Sequence, residues 1–313
     1  MKTFPRLLVA ALAVALFACG GDDATGTTDT TTTDTVTTDT ANSELPATDT
    51  PATETTGNKV AFAATLVDFA SKAPKAGVDM MLLNDETGEP LDTVNYPAFK
   101  SGTNGVVDLQ LPPDIQVGFK AWGASGAMKF KDSYQFHYAS NSQGRRIYAA
   151  SVFTYQGAIS MAAIKEVDKT TLGHLAGTIY YRDSAGNEEF IGCVTIEVLD
   201  STGKKIDEVS VNGYGTYAAV RYFDTTTDSP TSIAVANMTH GLNSRYMVGD
   251  LPSGKYTIVA HGTWAPTEEL GRVDLHAFPD SISIGNIYVD QSATITANPT
   301  PATDECHGKA GQQ

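Results

Sequence analysis

The sequence predicts an all-β protein built from two tandem β-sandwich domains. Three observations carry that prediction. Beyond Lys59 the chain breaks into short runs of alternating apolar and polar residues, Gly, Asn, Asp and Pro punctuate the runs, and the second half repeats the order of the first. Alternation puts every second side chain on one face of a strand, and the punctuating residues supply the backbone geometries that turns require. A helix is expected only near residues 156–165 of the first half.

Taken in order, the chain opens with Lys2 and Arg6, an apolar run of eleven residues from Leu7 to Phe17, and then Ala18-Cys19-Gly20. A bilayer core takes about 20 apolar residues, so this run is too short to span one and reads as a secretion signal over residues 1–18. Leu16-Phe17-Ala18-Cys19 resembles the bacterial lipobox, in which a Cys thiol accepts diacylglycerol before cleavage leaves it N-terminal. That resemblance implies lipidation of Cys19 and a membrane anchor. Several acyl chains, each burying methylenes at about 0.8 kcal/mol apiece, make such an anchor effectively permanent. Gly20 in place of an Asp favours the outer over the inner membrane, on a periplasmic or surface-exposed face.

Residues 19–58 form the next segment. From Gly20 to Asn58 there are 16 Thr, eight Asp and Glu, and no Lys or Arg. With so little apolar surface to bury, nothing offsets the cost of ordering the backbone, and a disordered tether is expected. As a flexible coil of 39 residues it would span about 35 Å.

The first sandwich is expected over 59–170, with strands from Val60 to Phe69, Val78 to Leu83, Met128 to Tyr138 and Arg146 to Phe153. Val107, Leu109 and Leu111 alternate with polar residues, as do Ile115, Val117, Phe119 and Ala121, and Pro112-Pro113-Asp114 turns the chain between them. The second is expected over 171–297, with strands from Leu175 to Tyr181, Ile191 to Leu199, Lys205 to Val211, Tyr256 to His261 and Ile284 to Val289. Residues 298–313 form a disordered tail.

The halves echo one another residue by residue. Leu82-Leu83-Asn84-Asp85-Glu86-Thr87-Gly88 matches Val198-Leu199-Asp200-Ser201-Thr202-Gly203, Asn104 to Pro112 matches Asn243 to Pro252, and Ile115-Gln116-Val117 matches Tyr256-Thr257-Ile258. These motifs, above all Asp200-Ser201-Thr202-Gly203 and Leu251-Pro252-Ser253-Gly254-Lys255-Tyr256, resemble the carboxypeptidase regulatory-like, or transthyretin-like, β-sandwich family. The resemblance implies the fold; it says little of function, because the motif residues make turns. Between the matched Gly and Pro the first unit spans 24 residues and the second 49, so the second carries an insertion.

Composition excludes one class of partner. With 36 Asp and Glu against 21 Lys and Arg, the net charge of -15 opposes phosphate, so no nucleic acid is expected. The six histidines, at 137, 174, 240, 261, 276 and 307, show no zinc-ligand spacing, and no Gly-x-Ser-x-Gly turn is present. Ser160 on the expected helix reads as a packing residue. No catalytic residue, metal or cofactor is therefore expected, the Asp183 to Glu189 cluster reading as a solvated turn. The chain reads as a non-enzymatic lipoprotein doing binding or structural work at the cell envelope, with a glycan or an envelope protein as partner. The alternatives are a carbohydrate-binding module and an accessory protein of a secreted peptidase.

Two sets of residues carry the remaining site expectations. Tyr217 to Phe223 reads first as one more strand with its aromatics packed inward. If they face outward instead, Tyr217, Tyr222 and Trp264 could stack on sugar rings or anchor a partner. With Cys19 lipidated, Cys193 and Cys306 remain, and the sequence is compatible both with a bridge between them and with two separate thiols.

Overall fold

The computed structural model describes residues 59–289, except 165–167, 183–187, 208, 212–214, 226–228 and 232–235. The first half contains β1 (Val60–Asp68), β2 (Asp79–Asn84), β3 (Phe99–Lys100), β4 (Val106–Leu111), β5 (Gln116–Ser125), β6 (Met128–Ala139) and β7 (Arg145–Ala149), followed by helix α1 (Val152–Met161). The second half begins with β8 (Leu172–Arg182), β9 (Glu188–Phe190), β10 (Val194–Asp200), β11 (Val209–Val211) and β12 (Gly215–Tyr217). It continues with β13 (Ala219–Asp224), β14 (Ser229–Thr231), β15 (Arg245–Pro252), β16 (Gly254–Gly262), β17 (Ala265–Ala277), β18 (Ile282–Ile284) and β19 (Ile287–Val289).

Each half is a sandwich closed over its own apolar face. In the first, sheet β4-β1-β7 covers β3-β2-β5-β6, and Phe62, Leu66, Met80, Leu82, Phe119 and Ile147 fill the space between. In the second, β10-β16-β17 covers the sheet containing β15 and β8, over Ile179, Ile196, Tyr246, Ile258 and Leu275. The pairings repeat. β1 lies between antiparallel β4 and parallel β7, as β8 lies between antiparallel β15 and parallel β18, and β2-β5-β6 recurs as β10-β16-β17. The motifs matched in the sequence thus fall on equivalent strands. The insertion adds the β11-β12 pair and extends the sheet beyond β15 by β13 and β14.

The halves are not beads on a string. β18 pairs in parallel with β6 of the first half at Ser133–Gln135 and with β8 of the second at His174–Ala176. One sheet therefore runs through both sandwiches. β2 shows the consequence in its side chains: Met80 and Leu82 face the first core, while Met81 and Leu83 pack with the second. Tyr134 and Phe136 of β6 also join the second core. α1 packs beside them through Tyr155 and Ile159, in a cluster with Phe223, Met247 and Ile284.

Several expectations shift by local causes. The helix covers Val152–Met161, earlier than 156–165, because Ser151 caps it by accepting the Thr154 N–H at 3.1 Å. That cap also ends β7 at Ala149, short of Phe153, and Ser160, expected as a packing residue, is exposed. The expected strand from Ile284 to Val289 is two short strands parted at Gly285-Asn286, where the Asn286 side chain accepts the Thr178 N–H. Among the described residues of the expected strand Lys205 to Val211, Val209–Val211 is strand and Lys205 bridges Leu199.

Candidate functional site

The chemistry-bearing side chains gather where the two sandwiches meet, and a bulge in β6 puts them there. Phe136 and His137 together oppose the single residue Gly118 of β5, between the pairs Gln135–Phe119 and Tyr138–Val117. Within this bulge His137 has a positive φ of 69°. A bulge re-aims a side chain, and His137 is turned out of the sheet toward the second half. Its N–H donates to Asp85 Oδ1 at 2.5 Å, its Nδ1 lies 2.8 Å from Asp85 Oδ2, and its Nε2 lies 2.6 Å from the Asp274 carbonyl.

Both ring nitrogens of His137 therefore face acceptors, an arrangement only the imidazolium satisfies. Burial opposes a charge there, but the Asp85 carboxylate and the Asp274 carbonyl outweigh it and raise the pKa above its ordinary value. For Asp85, burial raises the pKa, and the hydrogen bonds from His137 more than reverse it, so it ends lowered. Asp274 is held by Thr257 Oγ1 at 2.7 Å and Lys255 Nζ at 3.1 Å. His276, on the same strand as Asp274, donates through Nε2 to the Glu86 carbonyl at 3.0 Å. Its pKa is lowered, first by burial and then by Lys255, against the pull of the Glu86 carbonyl.

The turn from Asn84 to Gly88 is the piece of the first half that enters this junction. Asn84 Oδ1 accepts the N–H groups of Glu86 and Thr87, fixing the turn, and Gly88 is buried against the rings of His276 and Phe278. Phe278 in turn stacks on Tyr134, with centroids 4.0 Å apart, and Lys131 pairs with Asp280.

The same bulge opens a cleft. β18 stays with β6 only as far as Gln135, and the chain then continues as β19 along β8 in unchanged register, from Ile284↔Ala176 to Ile287↔Ile179. β6 diverges from it. The wedge between them has a volume of about 340 Å³, with Tyr138, Arg145, Arg146 and Tyr148 on one side and Tyr180 and Tyr288 on the other.

The expected site residues lie elsewhere. Tyr222 is 2% exposed, packs in the second core, and accepts the Ile196 N–H on its hydroxyl at 2.8 Å. Burial pushes its pKa up to about 12. It is a core residue, in line with the first reading of this stretch as a strand with inward-facing aromatics, and the alternative that placed Tyr222 on a sugar-stacking surface is corrected. Trp264 is half-buried against the same core and lies over Gly262, where any Cβ would meet its ring at 2.6 Å. Tyr217 ends β12, its backbone paired with Val209. Cys193 is buried at 6% exposure and disulfide-bonded, while Cys19 and Cys306 lie outside the described residues, as do the secretion segment, the tether and most of the Asp183 to Glu189 cluster. Among the described residues, no helix is long and apolar enough to cross a membrane, and no group of three His, Cys, Asp or Glu is placed to hold a metal ion.

No family model matches the chain, and no curated protein matches it. Among solved structures, the chain is similar to the shaft pilin SpaA of Lactobacillus rhamnosus GG, at 14% identity over 75% of this chain and 98% of that one, with a TM-score of 0.24. A minor pilin of Streptococcus agalactiae overlaps at 11% identity, 77% and 98% coverage, and a TM-score of 0.25. The TIE protein of Bacillus anthracis overlaps at 14% identity over 74% of this chain, which spans 34% of that protein, with a TM-score of 0.23. The strand pairings, not these overlaps, define the fold.

Proposed function

We propose that the chain is an envelope lipoprotein, anchored through Cys19, that presents two fused β-sandwiches for non-enzymatic binding or structural work. The observation that carries this reading is the pairing of β18 with both β6 and β8. Neighbouring domains usually move about a small, polar interface. A shared strand replaces that freedom with backbone hydrogen bonds and a common core, which suits a body that holds a surface at a fixed orientation on the end of a tether. The described histidines fit the same use. His137 and His276 bind the halves together, His174 accepts the Asp250 N–H, His240 accepts the Leu242 N–H, and His261 pairs with Glu197.

The repeated strand order supports relating both units to the carboxypeptidase regulatory-like family, whose members often accompany zinc carboxypeptidases as an appended domain. In this reading Cys193 pairs with Cys306, since lipid occupies the third thiol. The test is expression of the full chain in a bacterium with two membranes. The expected product is an acylated polypeptide beginning at Cys19 in the outer-membrane fraction, with Cys19→Ser moving it to the soluble fraction. Cytosolic precursor retaining Met1 and carrying no acyl mass would overturn the anchor.

A further inference from the structure

The wedge between β6 and β19 has a composition at odds with the rest of the chain. The protein carries a net charge of -15, yet the residues lining the wedge include Arg145 and Arg146 and a single acid, Glu188. Cations collected at the mouth of a cleft in an acidic protein mark a place where a negative group is favoured over the surrounding surface. Arg145 is exposed on β7. The arm bearing it is held in place from inside the cleft: the Tyr138 hydroxyl reaches the Arg146 carbonyl at 2.7 Å, and Gln135 Nε2 donates to the Tyr148 carbonyl at 2.6 Å.

The opposite arm is aromatic. Phe190, Tyr180 and Tyr288 are directly opposed across β9, β8 and β19, forming a ladder. Tyr180 and Tyr288 lie at an interplanar angle of 20° with centroids 5.8 Å apart, and Tyr288 is 39% exposed. Tyrosines combine a flat apolar face with a hydroxyl at its edge, which suits a ligand whose rings carry C–H faces and hydroxyl rims. A cleft of about 340 Å³ lies at the small end of ligand sites, enough for a short oligomer rather than a long polymer threaded through.

Resting on the reading of this chain as an envelope binding protein, we propose that the wedge binds a short carboxylate-bearing saccharide, with sugar faces against Tyr288 and its ladder and the carboxylate at Arg145. Arginine's planar fork matches a carboxylate through two parallel N–H donors. Long polyanions are disfavoured, because the acidic body beyond the cleft repels every charge that the wedge does not hold.

The test is calorimetric titration of the full chain with trigalacturonate and, as the neutral counterpart, maltotriose. The expected result is at least tenfold tighter binding of the acidic trisaccharide, weakened by added salt. Arg145→Gln should lower affinity at least fivefold and remove most of the preference for the acid. Tyr288→Ala should weaken both sugars, with melting temperatures unchanged in both variants. Equal binding of the two sugars, no binding of trigalacturonate at millimolar concentration, or binding indifferent to both substitutions would each overturn the proposal. The anchor experiment reports separately, so an acylated outer-membrane protein that ignores trigalacturonate leaves the function standing and removes only this ligand.

Discussion

At the scale of single residues, His137 joins the two sandwiches through its charge. A raised pKa means that the fold prefers the imidazolium, so its stabilisation is complete below the ordinary value of 6.5 and is lost as pH climbs through the raised one. His276 has the opposite sign. Its lowered pKa makes the neutral ring the favoured form, so its contribution is present above 6.5 and lost as pH falls through the lowered value. Asp85, lowered from 3.8, supports the junction above that value and ceases to as pH falls through the lowered one. The melting-temperature gap between the natural chain and His137→Asn should therefore be larger at pH 5.5 than at pH 8.5. Asn tolerates the positive φ of the bulge, so the substitution tests charge rather than backbone; a gap that is the same at both pH values would refute the imidazolium. A second residue, Tyr246, is wholly buried and donates its hydroxyl to the Gly285 carbonyl at 2.8 Å, where β18 passes into β19. Tyr246→Phe leaves that carbonyl unmet and should destabilise by about 1–3 kcal/mol in denaturant titration.

At the scale of elements, the strand that joins the halves depends on a close approach. Gly177 of β8 lies beneath the Gly285 carbonyl, and a Cβ there would overlap that oxygen and come within 2.7 Å of the Tyr246 hydroxyl. Gly177→Ala should push the β18–β19 segment off β8. The expected cost is about 1–3 kcal/mol, of the size seen when well-packed interiors are overfilled, with faster amide exchange at Ile282 to Ile284. Unchanged exchange there would show that the segment is not held by this contact. The elements also show what sequence reasoning could reach. Strands such as Val106–Leu111 alternate cleanly and were legible, since one face meets the core and the other meets water. Met80-Met81-Leu82-Leu83 carries no alternation, and that unbroken run is the trace of a strand buried on both faces, between two cores. The bulge at Phe136–His137 left no such trace. Bulged residues satisfy a backbone geometry, and neither Phe nor His announces one.

At the scale of the whole molecule, a shared sheet predicts shared unfolding. Limited proteolysis of the full chain should leave one fragment containing both sandwiches, and scanning calorimetry should show one transition spanning them; two fragments and two transitions would mean that the halves fold independently. The sequence by itself determined the all-β class, many of the strands and turns, and the repeated order of the motifs, because alternation and turn chemistry act over a few neighbouring residues; the long strand Ala265–Ala277 and the pairing of the strands were not legible in it. It did not determine which copy of a repeated motif would be used at the junction. Asn84 to Gly88 and Asp200 to Gly203 make similar side-chain-capped turns, yet Gly88 is buried against the second half and Gly203 stands in solvent. Nor did it place the wedge, which opens between β6 and β19, strands more than a hundred residues apart, or tell that Tyr288 faces out. Those assignments belong to the tertiary structure, because they depend on the one register in which β18 fits between β6 and β8, and contacts at that separation leave no periodicity in the chain.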